Sequence, residues 1–386
     1  MAAVTGTPLV LTAARVVTGA GVLAPGWVRI EGAAGRGSIT GVGEGPARGG
    51  ALERVLALGD VTVAPGFVDL HQHGGGGAAY TDGPDAARTV VAAHRRHGTT
   101  SMLASLVTDG PDRLEAQVRA LAPLVESGDL LGVHLEGPWL SPAHRGAHDP
   151  GLLTAPNATD VHRLVTAVPG AVRMVTLAPE LDGGVEAVAA LTAAGVVAAV
   201  GHTDASLDRG HAAVDAGARV GTHLFNAERP LHHREPGVIL ALLQRPEVVV
   251  ELIADGVHVH PAMIAHAASS AAGGFALVTD AMAAAGAPDG PYRLGPLDVE
   301  VAGGVARVAG TDTIAGSTLT LDRAVAFAVR EAGIELEVAL RAASTAPADV
   351  LGRPDLGRLA PGARADLVVL DADLAVTRVL RGGAWV

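Results

Sequence analysis

Two histidines one residue apart, His71 and His73, close the apolar run Phe67–Leu70 and precede four glycines, Gly74 to Gly77. In an extended strand residues i and i+2 face the same side, so the two imidazoles project together from the strand's C-terminal end. Two imidazoles aimed at one point make half of a metal site, and the glycines let a ligand pass without meeting a Cβ. Four more metal-competent side chains follow: Glu136 in His134-Leu135-Glu136-Gly137-Pro138-Trp139, His202 in Gly201-His202-Thr203-Asp204, His223 in Thr222-His223-Leu224-Phe225-Asn226, and Asp280 in Val278-Thr279-Asp280-Ala281-Met282. Four imidazoles and two carboxylates suit Zn²⁺, Fe²⁺ or a related divalent ion better than Mg²⁺ or Ca²⁺. Glu136 either ligates the more buried ion with His202 and His223 or bridges two ions, and His71 and His73 are then free to hold a second. Such an ion brings the pKa of bound water near neutrality and polarises a carbonyl. Asp280 is placed to shuttle a proton from that water to a leaving amine. The chemistry expected is hydrolysis of an amide or related C–N bond.

These residues need a frame that brings them to one rim. From Val63 onward, apolar runs alternate with alanine-rich helical segments, the pattern of parallel strands with crossover helices. Eight runs stand out: Phe67–Leu70, Ser101–Leu106, Leu131–Leu135, Val172–Leu177, Val196–Val200, Arg219–Thr222, Val248–Ile253 and Phe275–Thr279. Helical segments such as Asp85–His97, Arg113–Val125 and Gly184–Ala194 separate them. Eight β/α repeats predict an α/β fold, a (β/α)8 TIM barrel, whose active site lies at the C-terminal strand ends. All six candidates fall at that end.

The flanks differ. Residues 1–62 read as short strands with glycine-rich turns, at Leu9–Val17, Trp27–Ile30, Ile39–Val42 and Arg54–Leu58. After the eighth run, Tyr292–Val308 is expected as a hairpin turning at Gly303-Gly304, then helices over Leu319–Glu331 and Leu336–Ala343. Strands return at Leu367–Leu370 and Val376–Leu380. The expected organisation is a small discontinuous β-sandwich domain from residues 1–62 and 348–386, around a metal-dependent barrel at 63–347.

With 386 residues the chain can bury a large core. Hydrophobic residues make up 49% but aromatics only 2%, so that core must be built from Ala, Val and Leu. A net charge of -12 argues against nucleic-acid or anionic-membrane partners. No apolar run approaches a membrane span and no signal-peptide layout opens the chain, so a cytoplasmic protein is expected. There is no cysteine, and all 28 basic residues are arginine. Disulfides, thiolate nucleophiles, Schiff bases, a P-loop lysine and a carboxylated-lysine bridge are therefore excluded.

The motifs together resemble the N-acetylglucosamine-6-phosphate deacetylases, a family of the amidohydrolase superfamily. The resemblance runs in order through Pro65-Gly66-Phe67-Val68-Asp69, the Glu136 and His202 blocks, His223-Leu224-Phe225-Asn226-Ala227, Ala254-Asp255-Gly256-Val257-His258, Thr279-Asp280-Ala281-Met282 and Ile314-Ala315-Gly316-Ser317. It implies Glu136, His202 and His223 as ligands of the main ion, most simply Zn²⁺ with Fe²⁺, Co²⁺ or Mn²⁺ as alternatives. His71 and His73 resemble the members able to hold two ions. Asp280 is implied as the catalytic acid/base. Substrate contacts are implied at Ala147, His148, Asn226, Ala227, Arg234, His258, Ile314, Ala315 and Gly316, with Arg234 and His258 on a phosphate. His148 would meet the carbonyl oxyanion or a hydroxyl, and His260 rivals His258 by spacing. Trp139 either covers a sugar face or packs in the core. A homodimer lending phosphate contacts is implied. The expected reaction converts N-acetylglucosamine 6-phosphate to glucosamine 6-phosphate and acetate. The alternatives are the same reaction on a related amino sugar, such as N-acetylgalactosamine 6-phosphate, and an inactive metal-binding relative.

Overall fold

The computed structural model describes residues 7–47 and 53–386. Residues 1–6 and 48–52, part of the N-terminal module expected over 1–62, lie outside the described residues. The chain forms two compact units, one of Met1–Asp69, His94–Ser101 and Leu321–Val386, the other of Leu70–Ala93 and Met102–Thr320.

Among the described residues, eight parallel strands make one sheet in sequential order: Phe67–Asp69, Thr99–Val107, Gly132–Glu136, Val172–Leu177, Val197–Val200, Val220–Gly221, Val249–Ile253 and Phe275–Val278. This is the expected barrel, nearly closed. Its strands read as unbroken apolar runs because both faces are covered: every residue of Thr99–Val107 and Gly132–Glu136 is buried. Where the strands end, the seam is stitched. Gln72 bridges Ala281 in parallel, the Asp280 amide donates to the His71 carbonyl at 2.8 Å, and the His73 amide donates to the Ala281 carbonyl at 2.7 Å.

The crossover helices follow from local sequence. Pro111–Glu126 starts on a proline, whose missing N–H costs nothing there, and buries Leu114, Val118, Leu121 and Leu124 on one stripe. Leu207–Asp215 is capped by Ser206, which accepts from the Arg209 amide at 3.3 Å.

In the other unit, a four-stranded sheet orders Ser38–Glu44, Gly26–Glu31, Leu9–Ala13 and Arg54–Ala57. A six-stranded sheet orders Ala384–Trp385, Val376–Arg381, Leu367–Leu370, Thr62–Pro65, Arg15–Thr18 and Gly21–Leu23. Leu11, Val28, Ile39, Val63, Leu367, Val369 and Leu380 share the core between them, so both chain ends build one sandwich. Two expectations need correction. Leu9–Val17 is two strands, not one: after Ala13 the chain crosses from the first sheet to the second, as strands do at a sandwich corner. Tyr292–Val308 is a three-stranded meander, because Gly295-Pro296 makes a turn before the one at Gly303-Gly304.

Candidate metal centre and substrate cavity

Five strand ends deliver imidazoles and carboxylates to one point. Glu136 Oε1 lies 3.1 Å from His202 Nε2 and 3.0 Å from His223 Nε2, and those nitrogens are 3.0 Å apart. Its other oxygen is 3.2 Å from His73 Nε2 and 3.4 Å from His148 Nε2. His71 Nε2 sits 3.2 Å from His73 Nε2 and 3.4 Å from Glu136 Oε1. Asp280 Oδ1 completes the ring, 3.2 Å from His73 Nε2 and 3.5 Å from His71 Nε2. Two neighbouring groups have metal-binding dimensions: His71, His73 and Asp280, and Glu136, His148 and His202.

Tautomers follow from what lies behind each ring. His73 Nδ1 faces the Ser105 carbonyl at 3.2 Å, His202 Nδ1 the His144 carbonyl at 2.9 Å, and His71 Nδ1 the Glu251 carboxylate at 3.2 Å. Acceptors behind Nδ1 put the hydrogen there, so each Nε2 lone pair points inward. Lone pairs facing one another at about 3 Å repel unless a cation lies between them. The charges agree. Glu136 and Asp280 are buried here and the cavity lining has no arginine. Burial disfavours a charge on His71, but Glu136, Asp280 and Glu251 outweigh it and hold its pKa well above the usual imidazole value. Burial would likewise raise Asp280, yet His71 and His73 keep it below the usual carboxylate range. The donor set therefore fits a divalent cation.

The backbone is strained where it presents these groups. His202, His223 and Asp280 have φ of 49°, 30° and 47°, and Phe225 and Ala227 lie at 77° and 48°. Side chains rarely adopt this region, which clusters at functional sites. Gly137 (φ 86°) turns the chain directly after Glu136, where an added Cβ would stand 2.2 Å from Thr108 Oγ1. Beneath the ring, His134 bridges Ser105 Oγ at 2.9 Å and Thr176 Oγ1 at 2.8 Å, its ring centroid 4.6 Å from that of His71.

Above the ring opens a cavity of about 320 Å³ lined by His73, Glu136, His202, His223 and Asp280, and by Ala147, His148, Asn226, Ala227, His258, Ile314 and Gly316. Burial pushes the His148 imidazole down to about 4, against the pull of Glu136, so it is neutral near pH 7. His258 donates from Nδ1 to Asp255 at 2.6 Å; burial lowers its pKa, but Asp255 more than offsets this and raises it. His260 instead caps the helix Pro261–Ser270, accepting from the Ala262 amide. Two anticipated contacts are not in the lining. Ala315 is buried in an apolar cluster with Met282 and Val301. Arg234 is exposed on a loop beside His232 and His233. Trp139 is 1% exposed and packs in the core. Sequence reasoning passed over His144, Gly146, Val107 and Leu294 in the lining, and Glu251 behind it. Glu251 had a signal, a lone acid inside the apolar run Val248–Ile253.

Residues 62–386 match the amidohydrolase family model. The chain is 39% identical over 341 residues to N-acetylglucosamine-6-phosphate deacetylase of Danio rerio, covering 84% of each chain. It is 38% identical over 323 residues to N-acetylgalactosamine-6-phosphate deacetylase of Escherichia coli O157:H7, covering 82% of this chain and 85% of the other. Among solved structures, it superposes with a TM-score of 0.94 and 51% identity on the D267A mutant of N-acetyl-D-glucosamine-6-phosphate deacetylase from Mycobacterium smegmatis bound to N-acetyl-D-glucosamine-6-phosphate, over 98% of this chain and 99% of that one. With barrel, ligand ring and relatives in agreement, the chain belongs to the amidohydrolase family, in its N-acetylglucosamine-6-phosphate deacetylase branch.

Proposed function

We propose that this chain hydrolyses N-acetyl-D-glucosamine 6-phosphate to D-glucosamine 6-phosphate and acetate, in amino-sugar catabolism and cell-wall sugar recycling. The observation that carries the reading is the inward-facing ring of His71, His73, Glu136, His202, His223 and Asp280 at the floor of a sugar-sized cavity. Glu136, His202 and His223 would hold the main ion, and His71 with His73 a second, with Zn²⁺ ahead of Fe²⁺, Co²⁺ or Mn²⁺. When bound, such an ion polarises the acetamide carbonyl and acidifies water.

The chain's own residues supply the rest. Asp280 accepts a proton from the attacking water as the new C–O bond forms at the carbonyl carbon. It then returns that proton to the amide nitrogen as the C–N bond breaks, so acetate and the amine leave with atoms balanced. Neutral His148 meets the carbonyl oxygen or a sugar hydroxyl. Ala147, Asn226, Ala227 and the Ile314–Gly316 segment hold the sugar, and His258 meets the phosphate. Arg234 adds a planar donor fork for phosphate. Its exposure, with no arginine in the lining, supports a homodimer in which Arg234 serves the neighbouring copy. A phosphorylated sugar substrate supports a cytoplasmic enzyme. No helix among the described residues is long and apolar enough to cross a membrane. We take residues 1–62 with 348–386, and 63–347, as the two functional modules.

The test is release of free amine from N-acetylglucosamine with and without its 6-phosphate, and from the galactosamine epimer, by protein of known metal content. Strong preference for the phosphorylated gluco-sugar supports the reading. Preference for the epimer moves the substrate, and no turnover with metal bound makes the protein an inactive relative.

A further inference from the structure

The four imidazoles are not fixed in the same way. His73 and His202 each give their Nδ1 hydrogen to a backbone carbonyl, of Ser105 and His144. His223 Nδ1 makes no hydrogen bond among the described residues. His71 is held by a side chain, the carboxylate of Glu251, with Nδ1 to Oε2 at 3.2 Å. Glu251 sits inside the strand Val249–Ile253 and is wholly buried. The same Oε2 also accepts the backbone N–H of His223 at 3.3 Å, while the Glu251 carbonyl accepts from Leu224 at 2.9 Å. One oxygen thus touches a residue from each half of the ligand ring, His71 by its imidazole and His223 by its backbone. The other oxygen, Oε1, is buried with no hydrogen-bond partner among the described residues.

Burying a carboxylate is costly unless a positive charge compensates it. No lysine exists in the chain, and the cavity lining has no arginine. A cation held at His71 Nε2 would place its charge one ring away, with the imidazole as conductor. Conversely, without an ionised acceptor behind it, Nδ1 loses the partner that keeps its hydrogen, and the ring is free to turn or change tautomer.

We propose that Glu251 is a positioning residue of the metal centre, orienting His71 for the second ion. This rests on the two-ion reading of the site given above. Glu251 touches neither substrate nor ion; it acts through His71.

The test is a double-mutant cycle read by metal affinity rather than turnover. Wild type, Glu251→Gln, His71→Gln and the double variant are stripped of metal and titrated with Zn²⁺ against a chelating indicator, with the melting temperature of each metal-free protein recorded. Glu251→Gln keeps the shape and so the fold; Glu251→Leu removes the acceptor entirely. Wild type is expected to take two equivalents. Glu251→Gln should weaken one equivalent about 10–100-fold and leave the other unchanged, with a larger loss for Glu251→Leu. On the His71→Gln background, Glu251→Gln should change nothing further. Unchanged affinities with a lowered metal-free melting temperature would make Glu251 a packing residue and overturn the inference. So would full additivity with His71→Gln, or uptake of a single equivalent by wild type. Deacetylation of the phosphorylated sugar is assayed on the same wild-type preparation: its failure with the cycle intact removes the substrate, not the role of Glu251.

Discussion

Asp280→Asn separates the proton shuttle from everything else Asp280 does. The residue sits at φ 47°, a region that asparagine tolerates and alanine does not, so an alanine variant would add about 1–2 kcal/mol of strain that asparagine avoids. Both main-chain bonds, from the Asp280 amide to His71 O at 2.8 Å and from the Ser317 amide to Asp280 O at 2.7 Å, are independent of the side chain. What asparagine removes is one negative charge, 3.2 Å from His73 Nε2 and 3.5 Å from His71 Nε2, and the group that binds the proton. General acid–base catalysis is worth about 10²–10⁴ in rate, and here one carboxylate serves both proton transfers. The expected loss in kcat is about 10³-fold or more, or about 4 kcal/mol in the barrel's barrier to reaction. The assay is free-amine formation at saturating phosphorylated sugar, with metal content and melting temperature measured on the same sample. A variant within tenfold of wild type would remove Asp280 from proton transfer. A variant that lost its metal would make Asp280 chiefly a ligand.

Three further outcomes are expected. Arg234→Ala should raise KM for the phosphorylated sugar about 10–100-fold, the value of one or two charged hydrogen bonds, leaving the unphosphorylated sugar and the melting temperature unchanged; equal effects on both sugars would refute a phosphate role. His134→Phe strips a partner from the Ser105 and Thr176 hydroxyls and should cost about 2–4 kcal/mol in urea unfolding; a cost near zero would show the hydroxyl chain to be self-sufficient. Glu228 has one carboxyl oxygen buried without a hydrogen-bond partner among the described residues, and burial pushes its pKa up to about 8 against the opposing Phe225 N–H. The folded state then keeps a proton that the unfolded chain releases above the ordinary value of 4.5. Stability should fall as pH rises from there to about 8 and level off beyond. Glu228→Gln should flatten that slope and melt higher than wild type at alkaline pH, and identical pH profiles would refute the assignment.

The barrel was legible in the chain because parallel strands covered on both faces leave unbroken apolar runs, and Val172–Leu177 is the same segment in both readings. The rim was legible because the strand-end position of His71, Glu136, His202, His223 and Asp280 needs only strand direction. What stayed hidden depends on contacts across the fold. The break at Ala14 between Leu9–Ala13 and Arg15–Thr18 carries no glycine or proline to mark it, so only the two sheets decide it. The burial of Ala315 between the lining residues Ile314 and Gly316 depends on the apolar cluster it joins, which sequence spacing does not show. Glu251 was overlooked because its role is set by His71, 180 positions away in sequence.

The stitched seam makes closure of the barrel and assembly of the ligand ring a single event. The carbonyl of His71 and the amide of Asp280 form one link of that seam, and their side chains face one another across the ring. A strand slip or an insertion at either end would carry one partner away from the other, breaking the wall and the chemistry together. The seam is therefore a poor place for new chain termini or inserted loops, which belong on strands that do not meet there. It also supplies a native reporter: hydrogen exchange at the Asp280 amide measures how often the first and last strand ends part.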